Sequence, residues 1–330
     1  MQRGRGFRTK DIGLCALIVT SISNAANMQW RPEIYPIETV TMSLQEALIG
    51  GQNGKPATVA GVLQIPANPV GRIPAVILLH GGNGLSASEE KWVQEINGIG
   101  VATFLLDSFT GRGIRPTLDD REELATLTML GDSYRALGVL AKDPRIDSGR
   151  IAVMGFSMGG AAALYASNER FRAMYAPAGV EFAAHIALYA PCYWHFRKDD
   201  RVTARPIRLF HGVDDDWSPI APCRSYVQKL RETGADIKLT EYPGVHHGFD
   251  DIESPEPKFI PAAVSLRDCE LVEDEGGVLL EGKTGKPFDI KNARCIRRGA
   301  HTGYNEAAAA DTVRAVKEFL LSTFVLKRAG

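Results

Sequence analysis

The pentapeptide Gly155-Phe156-Ser157-Met158-Gly159 closes an apolar run and passes directly into the small-residue series Gly160-Ala161-Ala162-Ala163-Leu164. An apolar strand that turns through Gly-x-Ser-x-Gly into a helix has the strand, sharp turn, helix order of a nucleophile elbow. In such a turn the serine holds a strained backbone conformation that only small neighbours tolerate. Gly155 and Gly159 are therefore predicted to let strand and helix close up, with the Ser157 hydroxyl pointing into a cleft at the C-terminal edge of a sheet. The bland alternative is a glycine-rich turn before a core helix.

The flanking chain supports a sheet of that kind. Residues 36–66 contain two extended stretches, the second with the alternation of a half-exposed strand, and look like an antiparallel opening. The continuous apolar run 73–79 reads as a strand covered on both faces. Further strands are expected at 100–106, 185–190, 207–211 and 236–242, and helices at 87–96, 118–140, 221–233 and 304–325. Strands alternating with helices predict an α/β fold, an open and mostly parallel sheet with helices on both faces. Residues 26–330 are read as a single domain, with an insertion at about 251–301 before the last helix.

The N-terminus reads differently. Arg3, Arg5, Arg8 and Lys10 precede the apolar run 12–22, and Ser23-Asn24-Ala25-Ala26 offers small residues for cleavage. Residues 1–25 are thus expected to be a secretory signal peptide, which places the mature protein outside the cytoplasm, periplasmic or secreted. The run is too short to span a bilayer, and Cys15 lies too early for lipid attachment. Cleavage removes four of 38 basic and one of 39 acidic residues, leaving 34 against 38 and a mildly acidic chain. With an overall formal charge of -1 and no basic stripe, nucleic acid is not expected as a partner. Four cysteines remain. Cys269 and Cys295 bracket two turn signals and Cys192 and Cys223 each follow a strand, so these two pairs are the expected disulfides among three formal pairings. No CxxC or paired-histidine spacing supports a metal site, and no cofactor is implied.

A serine hydroxyl attacks a carbonyl only if a neutral imidazole takes its proton as the bond forms, and the imidazole needs an acid to orient it. Two later loops supply candidates in the order nucleophile, acid, histidine. One follows a strand with His211-Gly212-Val213-Asp214-Asp215-Asp216. The other follows the next strand with His246-His247-Gly248-Phe249. Both are expected at the sheet edge that carries Ser157. The backbone N–H of Met158, next after the serine, is one expected donor to the oxyanion that forms on attack.

From about residue 50 to 325 the chain resembles the dienelactone hydrolase branch of the α/β-hydrolases. The matching residues are His80-Gly81-Gly82, Asp107-Ser108-Phe109 with Arg112-Gly113, the Ser157 elbow, His211-Gly212 to Asp215 with Pro219, and His247-Gly248-Phe249. The resemblance implies the α/β-hydrolase fold and selects Asp215 as the acid and His247 as the base. It also implies Gly82 as the second oxyanion donor and Arg112 as a possible substrate-binding residue. Two departures bear on substrate. The namesake enzymes use a cysteine nucleophile where this chain has Ser157, and they grip a carboxylate with two arginines where it has Arg112 and Asp251. The expectation is therefore a serine hydrolase acting on a small-molecule carboxylic ester or lactone. An acyltransferase or peptidase with the same triad, or a non-catalytic binding protein of the same fold, stands as the alternative. The insertion is a candidate lid over the cleft, or else an excursion that serves stability.

Overall fold

The computed structural model describes residues 32–326 except 52, 68 and 116–123. The expected signal peptide and Cys15 lie outside the described residues, as does most of the first stretch of the helix expected from residue 118. In order the elements are β1 (Glu33–Thr41), α1 (Leu44–Leu48), β2 (Lys55–Gln64), β3 (Ile73–Leu79), α2 (Ala87–Asn97), β4 (Ala102–Asp107), α3 (Thr126–Leu140) and β5 (Ile146–Phe156). They continue with α4 (Met158–Tyr165), α5 (Glu169–Tyr175), β6 (His185–Leu188), β7 (Trp194–His195), β8 (Ile207–Gly212), α6 (Ile220–Glu232) and β9 (Ile237–Tyr242). The last are β10 (Lys258–Ser265), β11 (Leu271–Glu273), β12 (Leu279–Glu281), β13 (Arg297–Thr302) and α7 (Glu306–Thr323). No helix among the described residues is long and apolar enough to cross a membrane.

Eight strands form one sheet in the order β1-β2-β4-β3-β5-β6-β8-β9. β1 and β2 pair antiparallel, as do β2 and β4, and every later pairing is parallel. β3 shows why its sequence is apolar without interruption. Ala75, Ile77 and Leu79 enter one core with α3, α4 and α6, whereas Val76 and Leu78 enter the other with α2 and α7. Successive side chains of a strand point to opposite faces, so a strand sandwiched between helices has no polar face to show. Because β3, β5, β8 and β9 run parallel, the loops 80–84, 157, 213–219 and 243–249 all leave the same edge of the sheet.

The insertion folds against this edge as small antiparallel pairs. β10 pairs with β13 and β11 with β12, while β11 also runs parallel to β7 and so joins the insertion to the body of the protein. Two restraints hold it there, and a disulfide braces it from within. The fully buried Glu273 carboxylate takes a two-pronged ion pair from Arg170, at 2.5 and 2.6 Å, and the backbone N–H of Arg197 at 2.8 Å. Trp217, Ala263 and Ala300 share a small core. Within the insertion a disulfide joins Cys269 to Cys295, and in the body of the protein another joins Cys192 to Cys223, the pairs expected from sequence.

Candidate active site

Ser157 takes φ 50° and ψ −112°, at the N-cap position of α4. A non-glycine residue in this region is strained, and such strain persists only where the surroundings over-determine it. Here the Ser157 N–H donates to the Leu188 carbonyl at 3.0 Å, and the Ser157 carbonyl accepts from the Ala161 N–H at 2.9 Å. The two glycines leave no freedom on either side. A Cβ on Gly155 would lie 2.1 Å from the Gly159 carbonyl oxygen, and one on Gly159 would lie 2.3 Å from that of Leu79. The helix can start only because both side chains are missing.

The expected acid and base arrive at this serine. His247 Nε2 lies 2.9 Å from Ser157 Oγ, and its Nδ1 lies 2.7 Å from Asp215 Oδ2. With Nδ1–H donating to the carboxylate, Nε2 is left as the acceptor for the serine hydroxyl. Asp215 Oδ1 accepts from the N–H groups of Trp217 and Ser218 at 2.9 and 2.8 Å, and His211 Nε2 approaches Oδ2 at 3.3 Å. Burial alone would raise the Asp215 carboxyl. The charge and hydrogen bond of His247, with the hydrogen bond of His211, outweigh it and hold Asp215 well below the usual carboxylate range.

Several supporting residues carry no motif of their own. The His247 ring packs against Tyr189 and Trp217, with centroids 4.8 and 5.1 Å away. Its carbonyl accepts from Thr302 Oγ1 at 2.9 Å and from the Gly303 N–H at 3.2 Å, so the end of the insertion holds the histidine loop. Tyr189 in turn donates to the buried Asp250, as does Trp92. Asp214, Asp216 and His246, the sequence neighbours of the acid and base, are engaged elsewhere. His246 Nδ1 meets the Asp214 carbonyl and Asp216 binds the N–H and ring of His301.

Of the two residues expected to donate to the oxyanion, Gly82 lines the same cavity as Ser157 and Met158 follows the serine directly. Met158 is the first residue of α4, at the positive end of the helix. Gly82 belongs to a loop held by His80, whose Nδ1–H donates to the Gly81 carbonyl at 2.7 Å and whose Nε2 accepts from the Ser108 N–H at 3.2 Å. Burial lowers the His80 pKa, so the ring stays neutral and keeps one donor and one acceptor. A cavity of about 310 Å³ opens beside these groups, lined by Gly82, Ser157, His247, Glu89, Asp251 and Lys258 among others. Glu89 accepts from the N–H and hydroxyl of Ser86 in a helix cap, and burial pushes its carboxyl up to about 7.

The sequence pattern of the dienelactone hydrolase family matches residues 59–324. The chain belongs to the dienelactone hydrolase family. Membership supports a hydrolase. A dienelactone hydrolase-like promiscuous phosphotriesterase from metagenomic libraries is 15% identical, with 88% of this chain and 99% of that one covered at a TM-score of 0.55. Esterase 2 of Thermogutta terrifontis is 16% identical, with 90% and 97% covered at the same TM-score. At these identities the likeness is one of fold. No curated protein sequence matches the chain.

One expectation drawn from the dienelactone hydrolase resemblance is not met. Arg112 does not face the cleft: its side chain is 3% exposed and all five of its N–H groups are used within the protein. Nη1 and Nη2 bind Asp132 at 2.7 and 2.9 Å, Nε binds Thr41 Oγ1, and the Ser108 and Val40 carbonyls take the other two donors. Asp132 also accepts from Thr39 at 2.6 Å, so the pair ties β1 to α3. A partner 20 residues further along the chain captures the guanidinium and turns it from substrate to scaffold. Asp251, where a second arginine of the clamp would stand, lines the cavity as a carboxylate.

Proposed function

We propose that the protein is a serine hydrolase cleaving a carboxylic ester or lactone, exported after loss of its signal peptide. The unbroken run of hydrogen bonds from Ser157 Oγ through His247 to Asp215, at 2.9 and 2.7 Å, carries this reading. Ser157 Oγ attacks the carbonyl carbon while His247 Nε2 takes its proton, and Asp215 stabilises the imidazolium that forms. The Met158 and Gly82 N–H groups stabilise the oxyanion, an effect of a few kcal/mol per donor. The tetrahedral intermediate collapses as the imidazolium protonates the departing alcohol. Water then attacks the acyl-enzyme with His247 again as base, releasing the acid and restoring the serine. Serine in place of cysteine favours ordinary ester hydrolysis. The captive Arg112 leaves the carboxylate clamp of the namesake enzymes unbuilt. Two disulfides support an oxidising compartment.

The test uses chromogenic esters and an organophosphorus probe, the latter motivated by Thermogutta esterase 2, which is phosphoramylated by tabun. Wild type should turn over esters and be labelled by a fluorophosphonate. Ser157→Ala should lose labelling and at least about a thousandfold in kcat/KM while its melting temperature stays near that of wild type. Folded wild type that neither labels nor turns over would overturn the hydrolase reading.

A further inference from the structure

A second cavity, about 610 Å³, is lined by Met158, the residue next after the elbow serine, and falls within the size range of small-ligand sites. Consecutive residues divide the two spaces: Ser157 lines the cavity that holds His247, and Met158 lines this one. The characters of the two differ. The first carries Glu89, Asp251, Glu253 and Lys258. The second is walled by Met158, Tyr193, Trp194, Phe196, Leu266 and Phe288, and Asp289 is the only charged residue among the described residues lining it.

The chemistry of acyl transfer assigns each space a role. The departing oxygen must receive its proton from His247 Nε2, so the alcohol lies on the side lined by His247. The carbonyl oxygen turns to the Met158 and Gly82 N–H groups. The remaining substituent of the tetrahedral carbon, the acyl group, is left the space beyond Met158. We infer that the cavity beyond Met158 binds the acyl group, and that the substrates are esters joining a large, uncharged, apolar acid to a smaller polar alcohol.

The inference rests on the serine hydrolase reading and deepens it. A negatively charged acyl group is disfavoured, because the nearby carboxylate is Asp289 and the guanidinium of Arg112 is spent on Asp132. Part of the wall comes from the insertion, through Leu266, Phe288 and Ile290. That segment therefore takes part in acyl selection as a fixed surface, held by β11 against β7 and by the Arg170–Glu273 pair.

The experiment measures kcat/KM for 4-nitrophenyl esters from acetyl to octanoyl, and for acetyl esters of alcohols of increasing apolar bulk. In wild type the octanoyl to acetyl ratio should be about tenfold or more, the scale on which apolar pockets discriminate methylenes. Bulkier apolar alcohols should give no comparable gain. Ile290→Trp, at a half-buried position of the wall, should lower the octanoyl to acetyl ratio about tenfold. If that variant does not fold, Leu44→Trp in the same cavity is read in the same way. Equal acetyl and octanoyl rates overturn the inference and leave the hydrolase reading standing, as does a filled variant whose ratio is unchanged or whose alcohol preference shifts instead. A wild type without turnover or labelling overturns both.

Discussion

The elbow and the insertion both border the candidate site, yet they are held in place by opposite means. At the elbow, position follows from the absence of atoms: Gly155 and Gly159 let backbone pack on backbone, and Ser157 has one conformation left to it. In the insertion, position follows from added links. A buried ion pair and a short strand pairing tie the segment to the body, and a disulfide closes it on itself, because its sheets are too small to stand alone. Steric exclusion is encoded within a few residues. Linkage needs partners from distant parts of the chain, so each link can be removed by itself.

The comparison is broken most severely at the elbow. Gly159→Ala places a methyl group 2.3 Å from the Leu79 carbonyl oxygen and 2.4 Å from that of His80, and these backbone atoms leave nothing flexible to yield. It should cost more than about 4 kcal/mol and abolish fluorophosphonate labelling, read by denaturant unfolding and gel fluorescence. In the insertion the largest single effect is expected from Arg170→Leu, which leaves the buried Glu273 carboxylate unpaired. A loss of about 3–5 kcal/mol is expected, with new protease cleavage confined to residues 265–297. Protection equal to wild type would show that the ion pair does not hold the insertion.

Smaller effects sharpen the contrast. Replacing Cys269 and Cys295 together by serine should cost about 2–4 kcal/mol in chemical denaturation, since the bridge closes a long loop. Glu89→Gln tests the polar cavity. The folded carboxyl is raised to about 7 from an ordinary 4.5, so its contribution to stability is complete below 4.5 and is lost as pH rises through 7. Wild type should therefore lose stability relative to Glu89→Gln over that window, by no more than about 3 kcal/mol above pH 7. A stability difference that does not change with pH would refute the raised value.

Much of the parallel core is legible in the amino-acid order, because a strand buried on both faces must be apolar at every position, as residues 73–79 are. The loops that carry Ser157, Asp215 and His247 are legible for the same reason: each interrupts such a pattern at the end of a strand. The three residues expected to meet do meet. Thr302 behind His247 is not legible, since it arrives from the far end of the insertion and a lone threonine carries no signal. The fate of Arg112 is hidden as well. The motif that contains it is local, but Asp132 and Thr41, which decide where its guanidinium goes, come from other elements.

By itself the sequence determined whatever depends on the residues next in line. That includes the alternation of strands and helices, the glycine-flanked turn at Ser157 and the order of the three loops. Tertiary structure alone decided which charges found partners and what walls the two cavities. An arginine, a glutamate or a phenylalanine is placed by whatever stands opposite it once the sheet has closed, and those neighbours lie as much as 222 residues away, as Glu95 and Lys317 do. Local sterics act through a few bonds of chain, whereas ion pairs and cavity walls act through space and exist only after the fold has brought their members together.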